Sequence, residues 1–238
     1  MLVPLVILQR LLHREIQFVL YIITRNPQLA LALFSILFFP GVVLHEGSHF
    51  LMAKILGVRT GRFSVFPRPL PNGRLQMGYV ETVQSDFFRD SLIGLAPLIA
   101  GTLFVAYAGI GQMQLHKLWH VLQNGQVELF WMGVSLLPKI PDFYLWFYLT
   151  FVVSSTMLPS ESDRHAWLPL GIWAAILFLL TAFSGAGAWV LENFAPFFDN
   201  LLNSIALLFM LSNIVHIVLL IPLYIFRQLL TYIIQAVR

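Results

Sequence analysis

Five stretches of this chain are almost free of charge and apolar from end to end: Leu29–Leu56, Ser91–Ile110, Phe143–Leu158, Trp167–Leu191 and Leu201–Phe226. About 20 apolar residues in a helix cross the hydrocarbon of a bilayer. Five such runs in 238 residues leave little chain outside the membrane. Composition agrees: 58% of residues are hydrophobic and 11% charged, against about 45–50% and about 25% in soluble domains. So few charges cannot cover a soluble globule of this size. An ordinary cytosolic enzyme, a disordered chain and a nucleic-acid binder are excluded. The small excess of basic residues, 14 Lys+Arg against 11 Asp+Glu, belongs to membrane topology. There is no cysteine, so a metal would have to be held by His, Asp or Glu.

The segments between the runs organise the chain. Residues 1–28 are apolar except for Arg10, His13, Arg14, Glu15 and Arg25. A charge at mid-bilayer costs about 2.5–3.5 kcal/mol, so this part reads as an interfacial or a transmembrane helix. No basic n-region or small-residue cleavage site marks it as a signal peptide. Residues 57–90 are polar, basic and rich in Gly and Pro. They hold two strand-like runs, Arg62–Phe66 and Leu75–Val83, around a turn at Pro67–Gly73, a β-hairpin over about 61–83. Gly111–Pro141, with His116, Lys117, His120 and Lys139, reads as interfacial or re-entrant. Placing Lys54–Asp90, Pro159–Ala166 and the C-terminus in the cytoplasm puts nine Lys+Arg there and two on the far side, as the positive-inside rule requires. No internal repeat is present, which argues against a transporter.

His45-Glu46-Gly47-Ser48-His49 lies inside the first of the five runs. Residues four apart share a helix face, so both imidazoles can hold one Zn²⁺, with Glu46 beside them as general base. A chance match to this pattern in a chain of this composition occurs about once in two hundred. Ionisable residues inside a span are costly and mark function. A catalytic zinc needs a third protein ligand and an open position. The acidic candidates near the cytoplasmic face are Glu81, Asp86, Asp90, Glu161 and Asp163. The turn bearing Asp163 lies at the depth of His45 and His49, which favours it.

These features resemble the site-2 protease family of intramembrane zinc metalloproteases. The shared elements are His45–His49 within a span, the following hairpin loop, a span with Gly94-Leu95-Ala96-Pro97, and Ser154–Asp163, similar to the family's segment ending in a ligand Asp. Arg164 follows that Asp where the family commonly has Gly, so the chain resembles a divergent member. The resemblance covers about residues 29–167, the expected protease core, with residues 168–238 as two added spans. It implies an all-α polytopic membrane protein of five or six transmembrane helices with a small membrane-associated β-hairpin after the catalytic helix. It implies one Zn²⁺ on His45, His49 and Asp163, Glu46 as base, and cleavage of another protein's transmembrane segment. Leu75, Gln76, Met77, Gly78, Tyr79 and Val80 are the candidate substrate-binding strand, pairing with an unwound peptide. Ser155 and His165 are candidates to orient a ligand.

The remaining polar residues have plainer readings. His116 and His120 flank Lys117, whose cation disfavours a second metal. Asn203, Asn213 and His216 suit hydrogen bonds between helices. Ser184–Ala188 suits close helix packing, and Pro40 a kink. Without room for a regulatory domain, control is expected from a membrane partner, lipids or substrate pretreatment. The oligomeric state is left open. The competing function is a non-proteolytic metal-binding membrane chaperone or regulatory pseudoprotease, against which the intact Glu46 speaks.

Overall fold

The computed structural model describes residues 1–69, 75–160, 162–164 and 167–236. Helices dominate it: α1 (Leu2–Thr24), α2 (Pro27–Ile55), α3 (Phe87–Ala106), α4 (Leu115–Gln123), α5 (Val127–Leu136), α6 (Phe143–Thr156), α7 (Trp167–Phe183) and α8 (Gly187–Ala236). Local chemistry sets the starts. Asn26 and Asp86 each accept two backbone N–H groups at the first turns of α2 and α3, and Pro27 occupies the first helical position of α2, where no donor is needed. Gly57, at φ 70°, turns the chain away after α2.

The helix α2, the α3 helix with its π-helical extension (Phe87–Gln112), and α8 are long and apolar enough to cross a membrane. A fourth candidate is a broken span in which Val127–Lys139 and Phe143–Thr156 meet at 98°. Large apolar side chains stand exposed along α7 and α8, among them Leu168, Trp173, Leu177, Ile221 and Tyr232. Water does not tolerate a patch of that extent, whereas lipid does.

The core lies between α1, α2, α6 and α8, where Leu5, Leu12, Phe34, Phe38, Phe151, Val152 and Val215 are buried. Gly41 sets the approach of α2 to α6. A Cβ there would lie 2.5 Å from the Val152 carbonyl oxygen and from Thr156 Oγ1. The charged residues of α1 are accounted for in part by α8. Glu15, with its side chain 4% exposed, meets Arg227 Nε at 2.7 Å and Arg14 at 3.4 Å. At about 1.5 Å per residue, α1 is about 35 Å long.

Two expectations change. The small-residue patch forms the turn between α7 and α8, with Gly187 close to Ala182 of α7. Gly185, at φ 77°, makes the turn between α7 and α8, and nothing lies within 4 Å of a Cβ built on it. The helix α8 then runs unbroken through 192–200, the segment that separates the apolar runs Trp167–Leu191 and Leu201–Phe226, with Pro196 inside it. A left-handed glycine ends a helix more readily than polar residues do.

The hairpin also differs in detail. Strands β1 (Thr60–Ser64) and β4 (Tyr79–Thr82) pair antiparallel with an irregularity between Thr60 and Phe63, and β2 (Arg68–Pro69) pairs with β3 (Leu75–Gln76). The expected strand Leu75–Val83 is therefore interrupted at Met77-Gly78. Met77 leaves the ladder to pack on the core, its Sδ 3.8 Å from Ser35 Oγ. Residues 70–73 of the expected turn lie outside the described residues. Phe63 and Phe66 rest on Phe50 and Phe39 of α2.

Removing one partner of a buried ion pair strands the other charge and costs about 3–5 kcal/mol, while an apolar replacement of both is near neutral. Glu15→Gln or Arg227→Met alone should therefore lower the thermal unfolding midpoint of the detergent-solubilised protein, and the double Leu variant should restore it. Equal midpoints for wild type and both single variants would show that the pair does not hold α1 to α8.

Candidate metal centre

His45, Glu46 and His49 project from one turn of α2, beyond the Pro40-Gly41 pair. Asp163 comes from the turn between α6 and α7. The structure brings the two imidazoles and this carboxylate together. His45 Nε2 and His49 Nε2 are 3.3 Å apart. His49 Nε2 is 3.3 Å from Asp163 Oδ1, and His45 Nε2 is 3.7 Å from Asp163 Oδ2. Ligands about 2.0–2.1 Å from a tetrahedral zinc sit about 3.3–3.4 Å from one another. The two nitrogens stand at that spacing and each faces a different carboxylate oxygen; one donor atom from each residue lies within 4.8 Å of the others, so the three side chains can share one ion and leave a fourth position for a water or substrate oxygen. They form the one such donor group among the described residues.

Both rings are turned the right way for this. His49 Nδ1 is 2.8 Å from the Ile93 carbonyl oxygen, and His45 Nδ1 is 2.6 Å from that of Thr156. A carbonyl only accepts, so each Nδ1 carries the proton and each Nε2 presents its lone pair to the shared point. The two carbonyls are free for a reason written in the sequence. The helical donor for Ile93 would be residue 97, which is proline and has no N–H. The donor for Thr156 would be Ser160, whose N–H instead binds Asp163 Oδ2 at 2.7 Å.

Asp163 is placed by a reciprocal turn. Its carboxylate accepts from Ser160 N–H, and its own N–H donates to Ser160 Oγ at 3.3 Å. The reciprocal bonds are those of a Ser-x-x-Asp capping box, here closing the turn at 160–163 that precedes α7. Burial opposes ionisation of Asp163, and the hydrogen bond from Ser160 N–H favours the carboxylate. Gly94 lets the turn come close, because a Cβ there would collide with the Asp163 carbonyl oxygen.

Glu46 is buried beside the ligands under the interruption of the hairpin. A Cβ on Gly78 would lie 2.6 Å from Glu46 Cγ and 3.0 Å from its Oε1. The whole group opens onto a cavity of about 1100 Å³ lined also by Gln9, His13 and the residues Gln76–Thr82. Of the candidate substrate strand, Gln76, Met77, Gly78, Tyr79 and Val80 line the cavity. Leu75 pairs with Pro69, and its side chain lies outside the described residues.

Other candidates fall elsewhere. Ser155 lines the cavity but bonds His216 rather than a ligand, with its Oγ 2.9 Å from His216 Nε2. His165 and Glu161 lie outside the described residues. Glu81 binds Arg62 N–H, and Asp86 caps α3. Asp90 accepts from Ser85. His116 and His120 sit on α4, with His120 against Asn124. The residues that sequence reasoning missed are mostly backbone donors and acceptors: the carbonyls of Ile93 and Thr156, and Ser160. The readable signals were Pro97, four residues after Ile93, and the Ser-x-x-Asp spacing. Compared with known protein families, curated proteins and solved structures, the chain has no match.

Pro97→Ala supplies an N–H to the Ile93 carbonyl and competes with His49. Metal affinity should fall about 10–100-fold, the usual effect of losing a partner of a ligating histidine, as read by chelator competition. Gly78→Ala should leave metal content intact and displace Glu46, so that any hydrolytic activity falls while bound metal does not.

Proposed function

We propose that this chain is an intramembrane zinc endopeptidase that cleaves transmembrane segments of other proteins, as its resemblance to the site-2 proteases implies. What supports the reading is the convergence of His45, His49 and Asp163 on one point, their donor atoms within 4.8 Å of one another, with Glu46 beside them, at the wall of a cavity large enough for an extended peptide. Two imidazoles and a carboxylate are a donor set that suits zinc. A bound zinc would polarise a scissile carbonyl and lower the pKa of a water toward neutrality. Glu46 then acts as general base toward a water in the cavity and passes the proton to the departing amide nitrogen.

The hairpin supplies the peptide-binding edge in this reading. A transmembrane helix has its amides bonded internally and must unwind before it can be cut. Gln76–Val80 run along the cavity and offer main-chain groups to an extended strand. Tyr79 and Val80 pair with Ser64 and Phe63 of β1 along one edge, and the ladder is broken only at Met77-Gly78.

For the membrane topology we take α2, α3, α6, α7 and the second half of α8 as five spans. The basic loop 57–90 and the C-terminus then face the cytoplasm, with α4 and α5 at the opposite surface. This is the arrangement that the positive-inside rule favours.

The test is cleavage of a tagged transmembrane reporter co-reconstituted with the full chain, together with metal analysis. Wild type should cut the reporter and hold one zinc per chain. Glu46→Gln should hold the same zinc and lose cleavage by about 10²-fold or more. Equal processing by both would overturn the protease reading. Iron rather than zinc in the purified protein would overturn the metal assignment, since the same donor types also bind ferrous iron.

A further inference from the structure

His216 is fully buried in α8, away from the ligand triangle. Its bonds are specific. Nδ1 lies 2.7 Å from the Ser212 carbonyl oxygen and Nε2 lies 2.9 Å from Ser155 Oγ. The carbonyl must accept, so Nδ1 carries the proton, Nε2 accepts, and the Ser155 hydroxyl donates. Ser155 is 1% exposed and is held a second time from α1, where Gln9 Nε2–H donates to its carbonyl oxygen. That carbonyl is free because its helical donor position is Pro159.

Thr156 is the next residue and the last of α6. Its carbonyl oxygen accepts from His45 Nδ1. The backbone that aims the His45 ring is thus clamped one residue away, by a hydroxyl bond from α6 to α8 and a carbonyl bond from α6 to α1. A bond of this kind in a buried site fixes direction, because an unbonded polar group there costs free energy.

Resting on the metal-site reading above, we propose that His216 is a positioning residue for the metal centre. Through Ser155 it fixes the terminal turn of α6, so that the Thr156 carbonyl holds His45 with Nε2 toward the metal. Gln9 is its counterpart on α1. Neither side chain is a ligand, and neither takes part in proton transfer.

The experiment titrates Co²⁺ into the full-length, metal-free protein in detergent, against a chelator, and records the visible d–d bands that report coordination geometry. Wild type should bind one Co²⁺ with tetrahedral-type bands. His216→Leu should bind about 10–100-fold more weakly, with shifted or weakened bands. His216→Gln, whose amide oxygen can accept from Ser155, should recover most of the affinity and the wild-type bands. Ser155→Ala, a smaller change that folding tolerates better, should reproduce the loss. Wild-type affinity and bands in either Ser155→Ala or a monodisperse, fully helical His216→Leu protein would overturn the proposal while leaving the metal site standing. Failure of wild type itself to bind Co²⁺ would overturn the metal-site reading and this proposal with it.

Discussion

A carbonyl with no helical donor, placed where water does not reach, must find a donor from another element. Three such carbonyls organise this molecule. Ile93 loses its donor to Pro97, Ser155 to Pro159, and Thr156 to the carboxylate of Asp163, which takes the Ser160 N–H. Each is met by a side chain from a different helix: His49 and His45 of α2, and Gln9 of α1. The bonds that dock α1, α2, α3 and α6 are therefore the same bonds that aim the ligand rings. Packing and site are one construction.

Close approach makes those bonds possible. Glycine stands where α2 meets α6 (Gly41), where α3 meets the Asp163 turn (Gly94), where α3 meets Met157 (Gly101) and where the hairpin meets Glu46 (Gly78). In an apolar solvent, lipid tails are as good a neighbour for a leucine as another helix is. Small residues and backbone contact then do more to specify helix docking than apolar side chains do. The exposed apolar faces of α7 and α8 show the other side of that rule.

Much of this was legible in the sequence, and the limits are physical. The helices α2 and α3 follow from long apolar runs with N-caps. The pairing of His45 with His49 follows from helical periodicity. The choice of Asp163 over Glu81, Asp86 and Asp90 followed from depth in the membrane, and the structure places its carboxylate against both rings. What was not legible came from competition between local signals. Residues 192–200 separate two apolar runs, but Gly185 is the residue that turns the chain. Alternation over Leu75–Val83 suggested one strand, but Met77 is drawn into the core and Gly78 lies against Glu46. Ser155 was weighed as a partner for a ligand. It acts at one remove, because its hydroxyl is spoken for by a histidine sixty-one residues away.

A site supported by main-chain oxygens has an uneven mutational footprint. The carbonyls of Ile93 and Thr156 persist when those side chains are truncated, so an alanine scan would not remove either partner of the ligand rings. Sensitivity is displaced onto residues that touch no ligand: the proline four positions downstream, the serine whose N–H is diverted, the glycine that admits a neighbouring backbone. In a lineage of such chains, the positions that merely withhold a donor or a Cβ would be held as still as the ligands themselves.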